Sequence, residues 1–284
     1  MINNVQSLKD KIRNVSKSTS LSHNQIIQNF MFEKFLDRLS VSPYKQNFII
    51  KGGCLLSSIM GIEMRTTMDI DANITGITFT LDKIKDIISE IIIIDVEDNV
   101  IFEIRNIEDI KEEQEYDGFR FTLLGIFGNM KVNFHLDIST GDIITPRSIQ
   151  YSYKKILEDE YISLMAYNYE TIIAEKLQSI LNKKISNSRM KDYYDIYYFV
   201  NYRWDDLNQN HLKQAINTTF NHRNTLDDIN RKDEIINILK DDISLNKLWN
   251  NYKSKFNYAS NIEFIDCINA INILLDTITS PCQR

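Results

Sequence analysis

Two consecutive glycines, Gly52 and Gly53, separate the apolar triplet Phe48-Ile49-Ile50 from a second apolar stretch, Leu55 to Met60. Glycine is scarce here, 8 residues in 284, so an adjacent pair is a strong local constraint. The triplet reads as a short buried strand and the second stretch as a helix. A chain passing from strand to helix through Gly-Gly leaves free backbone N–H groups at the helix start, where an anion can sit. Without Cβ atoms that backbone approaches such a group closely. The segment Met68 to Ile74 then alternates strictly. Met68, Ile70, Ala72 and Ile74 share one face, and Asp69, Asp71 and Asn73 share the other. Two carboxylates at i and i+2 stand roughly 6.5 Å apart at Cα. Asp is disfavoured in strands, and like charges this close repel. A divalent cation relieves that repulsion by taking oxygen from both.

A second alternating segment runs from Met130 to Ile138. Val132, Phe134, Leu136 and Ile138 face one way, and His135 and Asp137 emerge on the polar side. A third carboxylate on a neighbouring strand completes metal coordination or receives the proton of an attacking hydroxyl. His135 reads as a satisfied polar-face residue rather than a ligand. Further along, Ile173, Leu177, Ile180 and Leu181 form a helical stripe with Lys176 at its edge. A lysine there either snorkels or serves a site. Arg189, Asp192, Asp195, Ile196 and Phe199 share a face of the next helix. Two acids beside Ile196 and Phe199 are costly to desolvate unless paired. Arg189 can pair with one, and Lys176 or a cation with the other. In the rival reading the neighbouring tyrosines make the core contact and both acids stay in water.

The rest of the chain frames these motifs. Ile26 to Leu39 recur at helical spacing until Pro43 stops the helix. Thr80 caps a helix carrying Leu81, Ile84, Ile87, Ile88 and Ile91. Val100 to Ile107 and Phe119 to Phe127 read as strands, and Gly128-Asn129 as the turn into Met130. From Tyr167 onward nearly everything is helical. The expected fold class is therefore α+β. A mixed-sheet domain with N-terminal helices covers residues 1–160, an all-helical domain 161–284, and the boundary lies near 145–165. With 43% hydrophobic residues, 25% charged and only 3 prolines, long linkers are not expected. No apolar run reaches the roughly 18 residues of a membrane span, and Met1 to Ser20 lacks the apolar segment of a secretory signal. A cytoplasmic location is expected, with no membrane partner. Cys54, Cys267 and Cys282 are widely spaced and the histidines scattered, so disulfide and zinc frameworks are not expected. A net charge of −6 argues against a generic nucleic-acid binder.

Taken in order, KGGCLL…RTTMDID, FHLDISTGD and ETIIAEKLQSIL…SRMKDYYDIYYF resemble the AbiEii/AbiGii-type abortive-infection toxins, nucleotidyltransferases of toxin–antitoxin systems with a polymerase-β-like fold. The resemblance covers roughly residues 20–200 and is looser over the helical tail. It implies that Gly52 and Gly53 hold the triphosphate, with Cys54 and Arg65 in the same nucleotide-binding set. It places magnesium, or manganese, on Asp69 and Asp71, matches Asp137 to the third-strand acid, and directs Lys176 and Asp192 to the same cleft. Asp195 is the alternative helical acid. Many relatives have Ser or Thr where this chain has Cys54, and a thiol is the weaker donor, so a phosphate contact there rests on backbone.

The expected activity is therefore transfer of a nucleoside monophosphate from an NTP to an acceptor with release of pyrophosphate. The resemblance points to RNA, specifically a tRNA end, as acceptor, to a cognate antitoxin as partner, and to a role in phage defence. The residues alone also permit a protein hydroxyl or a small alcohol as acceptor. The rival from another class is a nucleotide-binding or partner-binding module that has lost catalysis. The intact Asp69, Asp71 and Asp137 count against it.

Overall fold

The computed structural model describes residues 2, 4–19, 21–61, 63, 67, 69–111 and 117–279. Two compact units emerge: Met1–Asp142 with Ser148–Tyr167, and Ile143–Arg147 with Asn168–Arg284.

The first unit is built on helices α1 (Val5–Ser18), α2 (His23–Val41), α3 (Gly52–Met60) and α4 (Leu81–Ile92). Its strands are β1 (Phe48–Lys51), β2 (Asp69–Ile74), β3 (Val100–Lys111), β4 (Asp117–Phe127), β5 (Met130–Thr140), β6 (Ile149–Lys154) and β7 (Tyr161–Ala166). The seven form one mixed sheet in the order β3-β4-β5-β2-β1-β7-β6. β2 and β5 are parallel, as are β1 and β7, and the remaining pairs are antiparallel. The sheet is thus mixed, as the alternating segments imply. The sequence reading missed β6 and β7, although both alternate inward and outward. The boundary expected at 160/161 therefore falls between two paired strands.

Helix α2 shows why these residues form the core. Ser22 starts it with a capping box: its hydroxyl accepts the Gln25 N–H, and the Gln25 side chain takes the Ser22 N–H at 2.8 Å. It ends at Val41, just before Pro43. Phe30, Phe32 and Phe35 are fully buried and pack their rings on Phe127 (5.7 Å), Phe134 (5.5 Å) and Phe102 (6.4 Å) of the sheet. Burying each ring contributes about 2–3 kcal/mol. Ile84, Ile87, Ile88 and Ile91 make the buried stripe of α4, whose Thr80 cap accepts the Lys83 N–H. The polar faces of β2 and β5 are left for chemistry.

The elements of the second unit are all helical: α5 (Tyr169–Lys183), α6 (Met190–Tyr202), α7 (Gln209–His222), α8 (Leu226–Asn230), α9 (Lys232–Asp241), α10 (Ile243–Lys255) and α11 (Phe264–Thr279), with three single-turn 3-10 segments. Asn168 caps α5 by accepting the Thr171 N–H at 2.7 Å, and its amide donates to the carbonyls of Thr145 and Arg147. That network ties residues 143–147 to the helical unit. Among the described residues no helix is long and apolar enough to cross a membrane.

Candidate active site

The backbone of Lys51 is extended, and Gly52 then takes φ +62° as α3 begins. That left-handed conformation suits glycine. The Gly53 N–H, one of the donors left open at the helix start, points to Asp71 Oδ2 at 3.1 Å. The anion held by the glycine turn in this geometry is therefore a carboxylate of the chain itself. Cys54 is fully buried and its thiol is pushed up, chiefly by burial, with the Asp71 charge adding to it. Any part it plays toward a nucleotide is left to its backbone. Arg65 lies outside the described residues.

Strand register assembles the acids. Asp71 stands opposite Lys51 on β1 and opposite Asp137 on β5, and Asp137 stands opposite Arg120 on β4. One row across four strands reads Lys51, Asp71, Asp137, Arg120: a cation at each end and two acids between. The next row pairs Asp69 with His135 and His135 with Thr122. His135 Nδ1 lies 3.2 Å from the Thr122 hydroxyl, in keeping with a satisfied polar-face residue.

Charge crowding is written into this face. Burial raises the Asp71 carboxyl to about 6; the neighbouring Asp137 and Asp69 add to the rise, and Lys51 and the Gly53 N–H oppose it. Arg120 grips Asp137 through Nε to Oδ1 (2.8 Å) and Nη2 to Oδ2 (2.6 Å). Lys51 Nζ lies 2.5 Å from Asp142 Oδ2, which also accepts the Tyr167 hydroxyl at 3.0 Å. Below the acids, the side-chain O and N of Asn73 and the Ser139 hydroxyl are buried without hydrogen-bond partners among the described residues.

The residues present fit a divalent cation. Asp69 and Asp71 share one strand face, and the ionisation of Asp71 is suppressed chiefly by burial and further by its acidic neighbours, which a cation would offset. Among the described residues, no three His, Cys, Asp or Glu side chains already converge as a cage. A divalent ion would take the Asp69–Asp71 pair as donors, and both oxygens of Asp137 are engaged by Arg120.

In the second unit, Lys176 on α5 reaches both acids of α6, with Nζ 2.7 Å from Asp192 Oδ1 and 2.7 Å from Asp195 Oδ2. Asp192 and Asp195 are 8% and 0% exposed, so neither lies in water. Tyr193 and Tyr194 are buried beside them. The two sequence alternatives are thus both partly realised: the acids are desolvated and the tyrosines make core. Instead of one partner each, the acids share a single ammonium, because Lys176 lies level with both turns of α6.

A family model for the AbiEii nucleotidyl transferase toxin of type IV toxin–antitoxin systems matches residues 34–268. The chain belongs to the AbiEii family. AbiEii proteins are nucleotidyltransferase toxins of type IV systems. Among solved structures, JHP933 from Helicobacter pylori aligns with a TM-score of 0.50 at 13% identity, over 91% of this chain and 93% of that one. A candidate nucleotidyltransferase from H. pylori aligns with a TM-score of 0.48 at 14% identity, over 91% of this chain and 96% of that one. The first of these likenesses shows a shared fold. No curated protein matched the sequence.

The residues missed by sequence reasoning are Lys51, Arg120 and Asp142. A signal for Arg120 was present. The two-residue turn Gly128-Asn129 forces Phe127 opposite Met130, and counting seven residues back along each strand puts Arg120 opposite Asp137.

Proposed function

We propose that this AbiEii-family chain is a magnesium-dependent toxin that transfers a nucleoside monophosphate from an NTP to RNA, with a tRNA end as acceptor, and releases pyrophosphate. The row Lys51–Asp71–Asp137–Arg120, with Asp69 on the same face, carries this reading. Asp69 and Asp71 would hold magnesium or manganese. A bound divalent ion supplies positive charge to the entering and leaving oxygens of the reacting phosphorus.

The chain's own residues do the rest. The Gly52–Gly53 turn lets its backbone pass close to phosphate, and the Gly53 N–H keeps Asp71 aimed. Asp137 receives the proton of the attacking hydroxyl or completes the acid set. Lys51 and Arg120 balance negative charge at the two ends of the row. The resemblance also gives Lys176 a role toward NTP phosphate; within the helical unit its ammonium is held by Asp192 and Asp195. The polymerase-β-like mechanism, the antitoxin partner and the role in phage defence belong to the same reading.

The test is to incubate the purified chain with each α-labelled NTP, magnesium and total RNA. Label in a tRNA-sized RNA supports the reading. Label in protein or in a small alcohol would move the acceptor to another class. No transfer to any acceptor, with the chain binding NTP, would favour a sequestering module.

A further inference from the structure

The bidentate Arg120–Asp137 pair sits inside the acid row, and its chemistry has a consequence for the order of events. A guanidinium fork matches both carboxylate oxygens at once and is the strongest common form of ion pair. Here it engages Oδ1 and Oδ2 together, at 2.8 Å and 2.6 Å. Those two atoms are also the only donors Asp137 can offer a divalent ion or an attacking hydroxyl. The pair is not locked away: the Arg120 side chain is 37% exposed and that of Asp137 17%. Arg120 therefore has solvent into which to swing.

Acids surround it. Asp137, Asp69 and Asp71 all hold the guanidinium in its charged form, with the Asp137 hydrogen bonds first. On the far side, Glu108 of β3 stands in register with Arg120 and accepts the Asn106 amide at 2.7 Å. A displaced guanidinium thus has a second carboxylate one strand away.

We propose that Arg120 is a positioning residue that gates the third acid: it competes with the divalent ion for Asp137 and hands that carboxylate over when the ion arrives. The inference rests on the reading of Asp69 and Asp71 as a divalent site. While paired, Arg120 offsets part of the Asp137 charge and keeps the row from being anionic throughout. When Asp137 turns to the ion, Arg120 is released as a free cation on the same face, toward Glu108 or toward a phosphate of substrate. Metal capture and anion capture are then linked, because each competes for one side of the same pair.

Mn2+ binding without nucleotide, measured by titration calorimetry on the full chain, tests this directly. Arg120→Ala is expected to bind Mn2+ more tightly than wild type, by up to about fivefold, the scale of removing a partly exposed charge pair. Arg120→Lys, which keeps the charge and loses the fork, should fall between. In the Asp137→Asn background, Arg120→Ala should give no gain. Melting adds a readout independent of activity: Arg120→Ala should be less stable than wild type without metal, and Mn2+ should restore more stability to it than to wild type. Unchanged or weaker Mn2+ binding in a folded Arg120→Ala or Arg120→Lys overturns the gate alone. Mn2+ binding by neither wild type nor variants overturns the gate together with the divalent site.

Discussion

Gly52 stands so close to Asp71 that it has no room for a side chain: a Cβ built on it would lie 2.6 Å from the Asp71 Cγ. Its φ of +62° disfavours any other residue independently. The turn and the acid therefore specify each other. Gly52→Ala is expected to cost about 1–3 kcal/mol in thermal unfolding and to lose transfer by displacing Asp71. Adding Asp71→Ala should recover part of the stability, because it removes the two carboxyl contacts and leaves the Cβ of residue 71, 2.9 Å away, and the backbone strain. Equal and additive losses would mean that the two residues do not constrain each other.

Lys176 should prove essential to the fold as well as to the chemistry. Removing it leaves Asp192 and Asp195 buried without their ammonium, and breaking a buried pair costs about 3–5 kcal/mol. Lys176→Ala should therefore unfold early. Lys176→Met combined with Asp192→Asn and Asp195→Asn should refold well and still lose transfer by about 10² or more if the ammonium meets phosphate. Full activity in that folded triple variant would reduce Lys176 to a structural role.

Glu33 gives the stability a pH dependence of known sign. Its carboxyl is 1% exposed; Oε1 accepts the Ile156 N–H at 2.7 Å, and Oε2 has no hydrogen-bond partner among the described residues. Burial raises it from 4.5 to about 8. The folded state thus holds a proton that the unfolded chain releases above pH 4.5. Stability should fall between pH 4.5 and about 8, by up to about 1.4 kcal/mol per pH unit, and level off beyond. Glu33→Gln should flatten that slope in denaturant titrations across the range. A slope unchanged by the substitution would place the titrating group elsewhere.

Much of this was legible in the sequence because it depends on local period. The alternation of β2 put Asp69 and Asp71 on one face, and Gly-Gly after an apolar triplet marked the turn that holds them. What escaped depends on non-local pairing. Lys51 joins the row through antiparallel register with Asp71, and it meets Asp142 across 91 residues of chain. β6 and β7 escaped because short alternating runs beside a long helical tail read as a connection. The edge position of Lys176 marks it in the sequence, but its double partnership depends on α5 presenting it to two acids of α6.

The family carries a prediction in cells. Members are toxins of type IV toxin–antitoxin systems, so induced expression of wild type should arrest growth, and co-expression of its cognate antitoxin should restore it. Harmless high-level expression of transfer-competent protein, with its RNA acceptor present, would contradict this.

If the Asp69–Asp71 pair serves nucleotidyl transfer, the most direct measurement is transfer of α-labelled NTP to RNA by Asp69→Ala and Asp71→Ala beside wild type. Each variant removes one of two crowded acids, so both should fold, as circular dichroism will report. Transfer should fall at least about a hundredfold in each. Near wild-type transfer by either folded variant would contradict the account.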